Sequence, residues 1–548
     1  VSDKETTVAA IDFALFAPYN DEAALIGDFS GWQPLPMERG DDGYFRTTVD
    51  LEDGLYKYKF RVRSKSFFMD ENAWVDVVDP YATAVDDTGA GDGLVFIHEG
   101  QRKVDLYEWR HDGAPLPPDR DLVLYELHIG DFSEGGTYQG AAEKLDYLVE
   151  LGVNAVELMP VNEFPGDRSW GYNPRHFFAA ESSYGSSSDL KRLIDACHAR
   201  GIRVILDMIC NHGESETPLT QIDYEYWFHK EPKDAEHNWG PEFDYTKHDD
   251  KLGTMPARKF MGDVVRFWVS EYHIDGIRFD AVKQLDNPDF LKWVVAEAKR
   301  TAGSKPFYTV AEHIPEIPGL VGPEGPFDGT WHNSFYHGMS ALLTGENRDL
   351  GRIKGLLDAR SRDFPGPENL VNYLSSHDHD HLLWTLEQAG ISGDEASKRA
   401  RLGAVLVTTA YGIPMIWMGT EFGVATEKTI DKNKLEWPLL GQGQGRGLFE
   451  VWKGLIALRR QSAALRGESF EFFLEDHGAG VLGFVRQDES GKVVVIANLS
   501  NSYHGGYTVE GMPADGRWRE WTRGYELEVR GGALTLDLPE YEAKVLVS

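Results

Sequence analysis

Acidic residues stand at the ends of four apolar runs. The segments read Asp207-Met-Ile-Cys-Asn-His212, Gly276-Ile-Arg-Phe-Asp280, Val310-Ala-Glu312 and Ser376-His377-Asp378. Each has the pattern of a buried β-strand whose C-terminal end carries a carboxylate, often with Arg or His beside it. Acids delivered by separate strands to one rim are what cleavage of a sugar acetal requires: a nucleophile, a proton donor and a group that steadies the charged transition state. Arg278 and Asp280 are two apart in an extended segment, so their side chains share a face. A guanidinium beside a carboxylate keeps it ionised, as a nucleophile must be. Glu312 follows the apolar run Phe307-Tyr-Thr-Val-Ala311, the setting in which a carboxyl keeps a proton to donate. His212 and His377 are placed to donate hydrogen bonds to sugar hydroxyls, and Tyr172, in Trp170-Gly-Tyr-Asn-Pro174, to stack on a pyranose. Taken singly, a strand-end acid is more often a cap, a junction His a structural group, Arg278/Asp280 a buried ion pair, and Tyr172 equally a rim-packing residue. The order and co-occurrence of the four segments carry the inference. Trp331, His332 and Trp32 are further candidates for sugar contact, with packing the stronger reading for the first two and at least an equal one for Trp32.

The elements that must position these residues follow from periodicity. From Asp121 onward, strand and helix patterns alternate. Strands are expected at 122–130, 153–159, Arg203–Met208, 276–280, 307–312, weakly near Thr330, at 370–376 and at 414–419. Amphipathic helices lie between them, such as 189–200, stopped by Gly201 as a C-cap, and 256–273 on a 3.6-residue period. Eight β/α repeats predict an α/β fold, a (β/α)8 TIM barrel over 111–464. Its length beyond the usual ~250 residues is taken up by long loops, notably 213–255, rich in aromatics, His and acids. In such a barrel the last side chains of each strand point into a pocket on one face. Residues 1–110 alternate in short strands, such as Phe13-Ala-Leu-Phe-Ala17, between turn clusters such as Gly40-Asp-Asp-Gly43, as an N-terminal β-sandwich does. The Pro-rich Gly113-Ala-Pro-Leu-Pro-Pro-Asp119 marks a linker. Residues 465–548 return to short alternating strands, a second all-β domain.

Composition narrows the partners. Of 548 residues, 89 are acidic and 55 basic, a net charge of −34. That sign argues against nucleic acid and anionic membranes and fits a neutral substrate, although plain solubility is the preferred reading of the charge. The two cysteines, Cys197 and Cys210, are too few for a disulfide framework and read as reduced core residues. No apolar run is long enough to span a bilayer. No signal peptide is visible at Val1, so a cytoplasmic protein is expected; the chain begins without Met, which leaves a removed leader open.

The four segments, in this order, resemble the four conserved regions of the α-amylase family of retaining α-glucan enzymes, glycoside hydrolase family 13. The resemblance covers about 121–440. It implies that Asp280 is the nucleophile, Glu312 the general acid/base and Asp378 the transition-state stabiliser, and that Tyr172, Asp207, His212, Arg278 and His377 contact substrate. The first domain, with Gly27-Asp-Phe-Ser-Gly-Trp32, resembles the glycogen-binding-type sandwich, carbohydrate-binding module 48. Leu124-Tyr-Glu-Leu-His128, Val161-Asn-Glu-Phe-Pro165 and Gly412-Ile-Pro-Met-Ile-Trp-Met-Gly-Thr-Glu-Phe422 are similar to segments of branching enzymes and maltooligosyltrehalose trehalohydrolases. His379 stands where branching enzymes carry Glu, and Asn211-His212 is closer to hydrolytic relatives. The expected activity is therefore hydrolysis of α-1,4-glucans (starch, glycogen, maltodextrins), with branching or trehalose release as alternatives and a non-catalytic glucan-binding protein ranked last, since all three acids are present. The resemblance implies no cofactor for the chemistry. A structural calcium near Asn211, with Asp223, Asp244 and Asp249 as nearby oxygen donors, stays undecided because no self-contained calcium loop is present.

Overall fold

The structure, a computed structural model, describes residues 8–70, 73–86 and 91–548. Residues 1–7, 71–72 and 87–90 of the expected first domain lie outside the described residues.

Eight parallel strands close into a barrel: β1 (Leu124–Leu127), β2 (Ala155–Leu158), β3 (Arg203–Met208), β4 (Gly276–Phe279), β5 (Tyr308–Ala311), β6 (Gly329–Trp331), β7 (Leu370–Asn372) and β8 (Ile413–Trp417). Every residue of these strands is buried, as parallel strands covered by helices must be. Helices such as Ser187–His198, Pro256–Glu271, Pro288–Ala302 and Gly393–Thr409 pack outside. Side chains alternate, so Leu124, Ala155, Ile205, Tyr308, Val310, Val371, Ile413 and Met415 fill the interior as one apolar cluster. Two residues further along the same inward rows come Glu126, Glu157 and Asp207, and on β4 Arg278. The strands are shorter than their apolar runs: 370–376 was expected as one strand, but pairing ends at Asn372 and the chain turns inward, carrying His377 and Asp378 across the barrel mouth. The weak sixth strand has a steric cause. A side chain on Gly329 would sit 2.1 Å from the Tyr308 hydroxyl, so the position excludes the β-branched residues that mark strands.

Before the barrel, Ala9–Phe16, Tyr44–Leu51 and Glu38–Arg39 form one antiparallel sheet. A second is built around Gly54–Arg63, and Phe13, Leu25, Phe45, Phe60 and Ile97 fill the space between them. Ile222 joins that core from the long loop after β3. This loop is not irregular throughout: Pro218–Trp227 is a helix kinked at Asp223. Its backbone is gripped by the first domain, through Asn20 Nδ2–H to Ile222 O (2.8 Å), Lys65 N–H to Ile222 O (2.9 Å) and Ser64 Oγ–H to Gln221 O (2.6 Å). After the barrel, a six-stranded sheet runs from Glu471–Asp476 to Glu542–Val547 and is joined by a two-stranded ribbon. Buried Arg486 of that sheet donates to Thr409 O (2.9 Å) and Ala410 O (3.0 Å), capping the C-terminus of the helix Gly393–Thr409, where orphan carbonyls and the helix dipole favour a cation. Cys197 and Cys210 are buried free thiols. Among the described residues, no helix is long and apolar enough to cross a membrane.

Candidate active site

The side chain of Arg278 is fully buried at the C-terminal end of β4. Its Nη1 donates to both Asp207 oxygens, each at 2.8 Å, and to Asp280 Oδ1, also at 2.8 Å. Its Nη2 lies 3.1 Å from Glu312 Oε2. Acids from the ends of β3, β4 and β5 thus meet on one guanidinium, which rests on the Trp331 ring of β6 at 4.4 Å. The planar fork serves several carboxylates at once, as a Lys ammonium on a flexible stem does not. The backbone adds a further hold. Immediately after Asp280, Ala281 turns into the left-handed region (φ 51°, ψ 40°) and donates its N–H to Glu312 Oε2 at 2.8 Å. A non-glycine residue there costs about 1–2 kcal/mol, and the turn links the Asp280 and Glu312 segments. Asp378 enters from the β7 side. Its carboxylate is 3.4 Å from His377 Nε2 and 3.7 Å from Lys428 Nζ, with a third of the side chain open to solvent.

Charge differs across this cluster. Burial and then the neighbouring Glu312 carboxylate push the Asp280 carboxyl well above the ordinary range, against the pull of Arg278. Arg278 alone was expected to keep Asp280 ionised; desolvation and like charge outweigh it. Burial also raises Asp207, opposed by Arg278. Asp378 is the exception: burial works against its charge, but His377, Arg278 and Lys428 together hold its carboxyl below the usual value. Burial likewise disfavours a charged His377, yet Asp378 and Glu126 hold the imidazole up to about 9. It is a cation at neutral pH.

Tyr172 donates its hydroxyl to Asp207 Oδ2 at 2.6 Å and stacks on His377 with ring centroids 4.9 Å apart. Expected as a sugar donor, His212 instead meets protein at both ring nitrogens: Nε2 pairs with Tyr172 O at 2.9 Å and Nδ1 with the Asn211 amide at 3.3 Å. Burial holds it below its ordinary value, in the neutral form. Trp331 and His332 are both buried, the first beneath Arg278, the second bonded to Asn372 Oδ1 (2.6 Å) and Arg362 Nη1 (2.8 Å). Packing accounts for both.

Residues 110–307 match the α-amylase catalytic domain, 2–82 the carbohydrate-binding module 48 (isoamylase N-terminal domain), and 473–547 the α-amylase C-terminal all-β domain. The malto-oligosyltrehalose trehalohydrolase of Saccharolobus solfataricus is 29% identical over 442 residues, covering 75% of this chain and 73% of that protein. The 1,4-alpha-glucan branching enzyme GlgB of Leifsonia xyli subsp. xyli is 30% identical over 567 residues, covering 94% and 73%. The chain belongs to the α-amylase family. Its fold is shared with the crystal structure of pullulanase type I from Bacillus subtilis complexed with maltose: the TM-score is 0.82 at 24% identity, over 100% of this chain and 86% of that one.

Two contacts of this α-amylase-family site escaped the sequence. Glu126 of β1 is bonded to His377, 251 positions away; it read only as part of a motif, because nothing local shows which partner an inward acid meets. Lys428 reaches Asp378 from a loop after β8 that Arg168 pins at Ile430 O (2.9 Å) and Asp131 at Asn433 N–H (3.2 Å). No periodicity marks that loop. Among the described residues, no group of three or more His, Cys, Asp or Glu side chains could hold a metal ion. The loop acids near Asn211 have other partners: Asp244 accepts from Thr246 N–H (2.9 Å), and Asp249 from the hydroxyls of Tyr19 (2.9 Å) and Tyr226 (2.8 Å).

Proposed function

We propose that this protein is a retaining hydrolase of α-1,4-glucans, acting by double displacement. The observation that carries the reading is the convergence of Asp207, Asp280 and Glu312 on Arg278, with Asp378 beside His377 across the same mouth. Asp280 is the nucleophile and Glu312 the acid/base. The reaction requires Glu312 to enter as the acid and Asp280 as the carboxylate. Glu312 gives its proton to the glycosidic oxygen as Asp280 Oδ attacks the anomeric carbon, so the C1–O bond breaks as the ester bond forms. Glu312, now a carboxylate, then takes a proton from water; the resulting hydroxide bond to C1 displaces Asp280 and restores the starting charges. Asp378, held anionic, and the cationic His377 face the developing oxocarbenium and the sugar hydroxyls. His212 acts through Tyr172, fixing the ring that stacks on the sugar. Two carboxyl groups sharing one guanidinium fit the spacing of about 5–5.5 Å that retention needs better than the wider gap of inversion.

Similarity to a branching enzyme and a trehalohydrolase favours a second reading, in which a sugar hydroxyl replaces water or trehalose leaves. Product analysis by NMR on amylose and on maltooligosaccharides separates them. Hydrolysis is expected to give new reducing ends with α-configuration at release. New α-1,6 linkages without reducing ends, or free trehalose, would move the assignment to the second reading, and β-configured products would exclude double displacement.

A further inference from the structure

Glu126 is buried in the barrel wall on β1, in register with Glu157 of β2 and Trp417 of β8. Both of its carboxyl oxygens go to one residue. Oε1 is 2.6 Å from His377 Nδ1, and Oε2 accepts the backbone N–H of His377 at 3.2 Å. The far ring nitrogen, Nε2, is left on the Asp378 side, 3.4 Å from Oδ2. Tyr172, Trp331 and Trp417 enclose the ring.

We propose that Glu126 is a positioning residue: by gripping both the ring and the backbone of His377, it aims a protonated Nε2 at the sugar site beside Asp378. A single carboxylate that fixes Nδ1–H leaves Nε2 to the substrate, and its charge keeps the second proton in place. The grip also ties the start of the chain segment bearing Asp378, which follows β7, to β1, two strands away around the barrel. The charged and titratable groups around the ring are consistent with this. Asp378 and His379 come from its own segment, Glu126 and Glu157 from β1 and β2, Tyr172 from the loop after β2, Asp207 from β3 and Arg278 from β4. Arg278 disfavours the imidazolium; Asp378 and Glu126 favour it. Burial and the neighbouring Glu126 push the Glu157 carboxyl well above the ordinary range; burial raises Glu126 as well, opposed by His377 and Arg278.

The inference rests on the reading of His377 as a sugar contact, and two readouts keep the claims apart. The first needs no substrate: imidazole NMR of the full-length protein, with His377 assigned by its loss in His377→Gln. In the wild type, His377 is expected to stay doubly protonated at pH 8; in Glu126→Gln it is expected to titrate at least one unit lower. The second is the pH profile of kcat/KM on a maltooligosaccharide. In Glu126→Gln the alkaline limb is expected to move down, with a loss of about fivefold or more at pH 8 that shrinks to about threefold near pH 5.5, where an imidazole of ordinary pKa about 6.5 protonates unaided. A wild-type His377 that is neutral at pH 8, an unchanged titration in the variant, or a loss equal at all pH values would overturn the proposal. If the protein turned over no α-glucan, the reading of the site would fail while the imidazole titration still decided what Glu126 does.

Discussion

Arg278 shows how one side chain organises a site and what that costs. It gathers three carboxylates, and burial together with the like charges so gathered raises Asp280. The sign of the stability effect follows. A buried acid with a raised folded-state value binds a proton that the unfolded chain has released, so stability falls as pH rises from the ordinary Asp value, about 3.8, toward the raised one. Asp280→Asn removes that penalty while Arg278 keeps Asp207 and Glu312. Its melting temperature is expected to exceed that of the wild type by a few degrees at pH 8, with the gain shrinking toward pH 4, in thermal scans across pH. A variant less stable than wild type at pH 8 would contradict the electrostatics described. Much of this was legible beforehand, because each acid ended an apolar run and Arg278 sat two residues before Asp280. The charge state was not, since it depends on how closely acids from different strands approach. His212 likewise read as a donor to sugar; only the fold reveals that the Tyr172 carbonyl takes its Nε2.

Among the elements, seven of the eight barrel strands were readable from their apolar runs and the sixth only weakly, near Thr330, and the strand ends were not. Pairing stops where the barrel mouth opens, as at Asn372, although the apolar run continues to Leu374. The segment 213–255 was expected as a long loop, and half its character was hidden. The helix Pro218–Trp227 owes its place to the first domain, whose core receives Ile222 and whose polar groups take its carbonyls. His212 stands at the start of the same segment, so this docking supports the wall of the site. Ile222→Ala removes a fully buried side chain, a loss of about 2–5 kcal/mol where the site cannot collapse. Limited proteolysis is expected to cut the variant within 213–255 faster than wild type, while the C-terminal sheet stays protected. Equal cutting would show that the segment holds its shape without the first domain.

At the scale of the whole molecule, we take 1–110, 111–464 and 465–548 as three units with unequal tasks. The barrel carries the chemistry. The first unit grips a loop of the site, and the last caps a barrel helix through Arg486. The overall charge of −34 places no demand on an uncharged substrate, whereas it repels polyanions. Within that acidic envelope, cations gather at the mouth of the barrel: Arg278, a charged His377 and Lys428 stand among the acids.

The assignment of Asp280 as nucleophile is tested most directly by trapping the glycosyl-enzyme. The full-length protein is incubated with a fluorinated α-glucosyl donor whose ester turns over slowly, then digested and analysed by mass spectrometry. The expected result is a single sugar adduct on the peptide bearing Asp280, absent in Asp280→Asn. An adduct on another carboxylate, or an active enzyme that forms none, would contradict it.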